Sequence, residues 1–215
     1  MHASMRAALA LSTAALLVLI PFSGVAAASD TVTVQNNRGP LANAWFSTLD
    51  PSGCVETDTF VTANRPTYQQ LPGRGTTTGI AAVSVFEYDR CLDTVLLDAV
   101  GASDAVPAAA FQVSNQLDRA ALATTITLTN IDTGATFDAT VDVAWIGTSD
   151  IVRNHDNTND FYGGGCHVLT RWKGSGRTAE ASGRVSAGVT NFTPATSQSA
   201  EIGFVVDGFE VINCP

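Results

Sequence analysis

Between Ala120 and Gly147 the chain alternates strictly, and this stretch limits the fold more than any other. Phe137, Ala139, Val141, Val143 and Trp145 take every second position, with Asp138, Thr140 and Asp142 among the residues between them. A period of two puts the apolar set on one face of a strand and the polar set on the other. Leu122, Ile126 and Leu128 share a parity upstream, with threonines filling most of the gaps. Asn130-Ile131-Asp132-Thr133-Gly134 joins the two arms, with glycine where a positive φ is often needed. The stretch reads as a long β-hairpin with one face in the core.

Similar strand signals recur along the chain, at Ala42–Thr48, Cys54–Ala63, Ile80–Tyr88, Leu92–Val100, Cys166–Lys173, Arg177–Thr190 and Ala200–Cys214. A short edge strand is expected at Thr31–Val34, ended by Asn36–Pro40. Turn signals stand at Asp50–Gly53 and Gly174–Gly176, and a polar loop at Asn64–Thr78. Gly101–Ala109 reads as a connection. Ala108–Leu122 holds the one candidate for a short helix, but its Phe111-Gln112-Val113 also reads as a strand. With roughly nine to ten strands, the expectation is an all-β, antiparallel two-sheet β-sandwich of immunoglobulin-like or jelly-roll type.

The first residues read as an address. Met1 to Arg6 carry one positive charge, Ala7 to Ile20 are apolar, and Val25-Ala26-Ala27-Ala28 offers small residues for cleavage. That is the three-part pattern of a secretory signal, so residues 1–28 are expected to leave and 29–215 to form a single exported domain. No later run is long and apolar enough for a membrane span. The whole chain carries a net charge of −9, and losing Arg6 makes the exported part more acidic still. Such a balance argues against nucleic acid and anionic membrane as partners.

Cys54, Cys91, Cys166 and Cys214 all fall in the exported part. An even number in an oxidising compartment points to two disulfides. A hairpin folded about Pro72-Gly73 sets Cys54 opposite Cys91, and closing that loop contributes roughly 3–4 kcal/mol in the chain-entropy model. Cys166 with Cys214 follows by elimination and requires a more complex path than a meander. No CxxC spacing suggests a cysteine metal site.

Thr148 to Gly165 reads as a long polar loop on a rigid scaffold, where function is often found. Asp150, Asp156 and Asp160 offer oxygens to a calcium ion, although no EF-hand pattern is present. Tyr162, His167 and Trp172 are candidate ligand-binding residues, since flat rings beside amides and carboxylates stack on sugars and bond their hydroxyls. The leading expectation is a binding module for a surface glycan or a protein, assisted by calcium. An alternative is a hydrolase or lyase using the Ser149–His167 segment, which carries His155 and His167 but no GxSxG or HExxH. A third is an extracellular structural or inhibitory protein with no small-molecule site. Asn191-Phe192-Thr193 matches a glycosylation acceptor, a common tripeptide.

Overall fold

The computed structural model describes residues 33–65, 67–70, 79–161, 167–194 and 196–212, with side chains for 38–65, 79–158, 171–194 and 196–206. The expected leader, residues 1–28, lies outside them. The strands are β1 (Thr33–Leu49), β2 (Val55–Asn64), β3 (Thr67–Gln70), β4 (Gly79–Asp89), β5 (Thr94–Val106) and β6 (Phe111–Val113). They continue with β7 (Arg119–Asn130), β8 (Thr136–Gly147), β9 (Val152–Phe161), β10 (His167–Ala187), β11 (Thr190–Asn191) and β12 (Ser199–Ile212). The protein is all-β among the described residues, where no helix is long and apolar enough to cross a membrane.

The alternation suggests two sheets, whereas the hydrogen bonding makes one large antiparallel sheet. Its ladders run from β10 through β12, β1, β2, β4, β5, β7 and β8, and β8 pairs with β10 again. The weakest link is β5 to β7, joined at Ala99↔Asn130 and Val100↔Thr129. The reason for one sheet is the length of β10. Its first part pairs with β9 up to Gly176, and its second part pairs with β8 from Ala179. One strand thereby serves two neighbours along the same edge.

The central hairpin forms as its alternation requires. β7 and β8 pair throughout, and Leu122, Ile126, Leu128, Ala139, Val141, Val143 and Trp145 are buried. Gly134 adopts φ +70° and donates its N–H to Asn130 O at 2.8 Å. Trp145 is 1% exposed, and its indole N–H donates to Asn43 O on β1 at 2.7 Å. That bond ties opposite walls together across the core. A second tie runs from the Thr59 hydroxyl to Phe192 O at 2.7 Å.

β2 and β4 pair in the register Val55↔Asp89 to Asn64↔Ile80, which centres their connection on Pro72. Cys54 and Cys91 then meet just beyond the ladder and are bonded, with Cα atoms 5.3 Å apart. The preceding turn is fastened by Asp50, whose Oδ1 accepts from the N–H groups of Cys54 and Val55, each at 2.9 Å. A hydrogen bond from Ser52, with those backbone donors, holds the Asp50 carboxyl below its ordinary range. Cys166 and Cys214 lie outside the described residues.

Several expected breaks are continuous strand. β1 runs through Asn36–Pro40. Arg65 N–H donates to Pro40 O at 3.0 Å, so that side of Pro40 faces the gap between the end of β2 and the start of β3, where a missing N–H costs no ladder bond. The polar stretch after Asn64 contains β3, paired with β1. β5 continues through Gly101 to Val106. Phe111-Gln112-Val113 is the strand β6, and no helix forms beside it. Gly174-Ser175-Gly176 does not turn. A Cβ on Gly174 would lie 2.5 Å from the Trp172 ring, and one on Gly176 would lie 2.8 Å from Glu201 Oε1, so these glycines make room for side chains within β10.

Replacing Trp145 by Phe removes the donor to Asn43 O and leaves a void where the larger indole filled the core. Denaturant unfolding is expected to show a loss of about 1–3 kcal/mol. A change within about 0.5 kcal/mol, the usual range of a surface substitution, would contradict the bridging role.

Candidate functional site

The segment expected to be the functional loop is mostly strand. β9 spans Val152–Phe161 and pairs with β10 from Gly176↔Val152 to His167↔Phe161. Extended chain rises about 3.3 Å per residue, so Asp156 and Asp160 stand about 13 Å apart along one strand. Asp150 precedes that strand and is exposed, as is Asp156. The segment is therefore an extended strand and not the wrapping loop expected around a calcium ion. The side chains of Asp160 and His167 and the whole of Tyr162 lie outside the described residues. His155 faces Lys173, six positions along β10 from His167, a separation of about 20 Å. Ser149 Oγ donates to Asp150 O and accepts from Thr178 N–H at 3.0 Å, fastening the chain before β9. Ser149, His155 and His167 thus form no catalytic group.

Trp172 is half-buried, with its ring over Gly174, and it faces Asp156 across the ladder. Thr193 of the Asn191-Phe192-Thr193 tripeptide is buried, and its hydroxyl donates to Gly183 O at 3.1 Å. Phe192 is buried in the core. This tripeptide fastens the end of the sheet.

Asp89, Cys54 and Cys91 bring a carboxylate and two sulfurs within 4.8 Å of one another, a cluster with the spacing of a metal site. The sulfurs are bonded to each other, so neither is the thiolate a metal requires. Asp89 Oδ1 accepts from the N–H groups of Cys91 and Leu92, each at 2.9 Å, and shapes the turn.

The surface most suited to a ligand is the outward face of β1, β2 and β4. The inward parity of these strands carries Phe46, Val61, Val83 and Val85, all buried. The outward parity carries Trp45, Phe60, Phe86 and Tyr88. Trp45 faces Phe60 across one ladder, and Asp58 faces Phe86 across the next. Trp45 is 36% exposed and Phe86 38% exposed, while Phe60 and Tyr88 are half-buried. The Trp45 indole N–H donates to Asp58 Oδ1 at 3.2 Å, which steers its ring across the sheet. Phe86 and Tyr88 stack at 6.3 Å between centroids, 12° from parallel. Two strands and one row separate Trp45 from Phe86, about 12 Å at ordinary sheet spacings. Val100 extends the apolar surface onto β5. Acceptors stand among the rings at Asp58 and at Glu56, whose Oε2 lies 3.3 Å from Arg90 Nε.

Period-two reading of Ile80–Tyr88 finds both parities apolar and infers a central strand. That holds, since β4 lies between β2 and β5. Its outward set is exposed, however, and Phe86-x-Tyr88 was the available signal for this face. No protein-family model, curated protein or solved structure matches the chain.

At the end of the ring face the Tyr88 hydroxyl hydrogen-bonds Asp93 Oδ1. That bond pushes the phenol above its ordinary value, with partial burial and the Asp93 charge adding to it. The folded state therefore favours the protonated phenol. Its contribution is complete below the unfolded value near 10.0 and is lost as pH rises through the raised one. Alkaline titration followed by phenolate absorbance should show Tyr88 ionising later in folded than in unfolded protein, with Asp93→Asn narrowing the gap. Coincident titrations would contradict the bond.

Proposed function

We propose that the protein is exported and acts as a binding module for a neutral glycan, with Trp45, Phe60, Phe86 and Tyr88 as its platform on a flattened, sandwich-like body. The observation that carries the reading is this row of rings on one sheet face. Sugar rings present flat C–H faces and a rim of hydroxyls. Aromatic rings cover the faces, and neighbouring carboxylates accept from the hydroxyls. The core of a protein interface is depleted of charged residues, whereas Asp58 and Glu56 stand among these rings. Exposed rings held by a sheet also lose little conformational freedom on binding.

Export is supported by the leader-like residues 1–28 and by the Cys54–Cys91 bridge, since such bonds persist in oxidising compartments. A second bridge between Cys166 and Cys214 belongs to this proposal. The β10–β12 ladder reaches His167↔Ile212, one residue from Cys166 and two from Cys214.

Retention on insoluble neutral polysaccharides tests the reading. Binding should fall roughly ten-fold, equivalent to about 1.4 kcal/mol, in Trp45→Ala and in Phe86→Ala. Both positions are exposed, so the variants should still fold. Absence of retention on every neutral polysaccharide tried would overturn the glycan reading. So would concentration-dependent self-association that Trp45→Ala abolishes, since the face would then be a protein interface.

A further inference from the structure

The inward-facing parity of four strands continues past the core as an open wall. One row crosses all four: Arg153 on β9 faces Ser175 on β10, Ser175 faces Phe204 on β12, and Phe204 faces Pro40 on β1. These side chains form one side of a cleft of about 350 Å³. Arg65 and the turn after β6, with Val113, Ser114, Asn115 and Leu117, supply most of the rest. That volume is in the range of small-ligand sites.

The rows on either side are basic as well. His155, Lys173, Val206 and Arg38 make up the next row outward, and Arg171 follows opposite Asn157. The Arg38 guanidinium lies over the Phe204 ring, 5.7 Å from its centroid, which places both on the cleft side. Arg177 belongs to the row nearest the core, and its Nε is buried with no partner among the described residues. Arg38, Arg65, Arg153, Arg171, Lys173 and Arg177 are six of the eleven lysines and arginines in a chain of net charge −9.

Among the residues of β1, β9, β10 and β12 whose side chains are described, this face carries no carboxylate, and Glu210, which shares its parity opposite Leu169, stands two rows beyond the row of Lys173 and Val206. Asp156, Glu180 and Glu201 have the opposite parity. Asp118, beside the lining residue Leu117, is held by the Ser114 hydroxyl and is close enough to Arg119 and Arg177 to interact with their charges. Arg65 uses Nη1 on Ala108 O at 3.3 Å and on Phe111 O at 3.4 Å, which fixes its guanidinium at the cleft.

We propose that this face binds an acidic polysaccharide, with one carboxylated sugar in the cleft against Arg65 and Arg153 and the chain continuing along Lys173, Arg38 and Arg171. Guanidinium forks match carboxylates in shape and charge. Asn115 and Ser175 supply amide and hydroxyl partners for a sugar, and Pro40 and Phe204 supply apolar contact. Single-stranded nucleic acid fits less well. It is held by bases stacked on exposed rings, and the ring on this face, Phe204, is covered by Arg38. The acidic remainder of the chain also repels so dense a polyanion.

This site uses the face of β1 opposite to Trp45, so it stands or falls separately from the neutral-glycan platform. The test is calorimetric titration of the protein with polygalacturonate. Binding is expected at low salt and should weaken as salt rises. It should fall roughly ten-fold in the double variant Arg153→Gln with Lys173→Gln, both exposed positions, as expected when surface charges steer a polyanion. Arg184→Gln removes a charge from the other face of β10 and should leave binding intact, as should Trp45→Ala. The proposal is overturned by no binding at low salt, by equal loss in Arg184→Gln, or by tighter binding of a single-stranded DNA oligomer than of polygalacturonate.

Discussion

The length and regularity of β10 hold the structure together. Over twenty-one residues it pairs with β12 on one side and with β9 and then β8 on the other. Its second half closes the circuit around Trp145 and the aliphatic core. Its first half extends beyond that core and carries β9, β12 and the start of β1 with it. An interruption at Gly174–Gly176 would leave β9 attached to a separate element. The core and the outlying sheet would then no longer share one register.

Shared register turns sequence alternation into surface chemistry. Side chains at every second residue share a face, and residues facing across a ladder share it too. Arg153 and His155 on β9 thus join Arg171, Lys173 and Arg177 on β10, while Asp156 and Trp172 fall on the reverse. The same rule sets Trp45, Phe60 and Phe86 together on the outside of β1, β2 and β4, over a buried inside. Each surface draws on strands far apart in sequence; β1, β2, β4, β10 and β12 are paired on both sides, and β9 is held along its length by β10.

Local sequence revealed what local chemistry decides. The hairpin of β7 and β8 was legible because its arms alternate and a five-residue turn ending in Gly134 joins them. The Cys54–Cys91 bridge was legible because a hairpin's register follows from its midpoint. β9 was not legible. Its Asn, Asp and His residues have low strand propensity, and they are strand because β10 offers a full-length partner. Gly174-Ser175-Gly176 looked like a turn because glycine often turns, yet here its missing side chain admits Trp172 and Glu201. The period-two run Arg171-x-Lys173-x-Ser175-x-Arg177 was visible, but its meaning required the strand to continue through those glycines. Net charge, averaged over the chain, concealed a positive face. The polar residues from Asn154 to Asp160 read as a loop, whereas the segment is extended as β9.

Continuity of β10 is therefore the central claim, and amide hydrogen exchange resolved by residue tests it most directly. In an unbroken ladder the backbone amides from Arg171 to Arg177 donate to β9 or β12. They should exchange slowly throughout, Gly174 and Gly176 included, to a degree close to that of β8. Fast exchange confined to Gly174–Gly176, with slow exchange on either side, would mean a turn there, and would contradict both the single sheet and the basic face built on it.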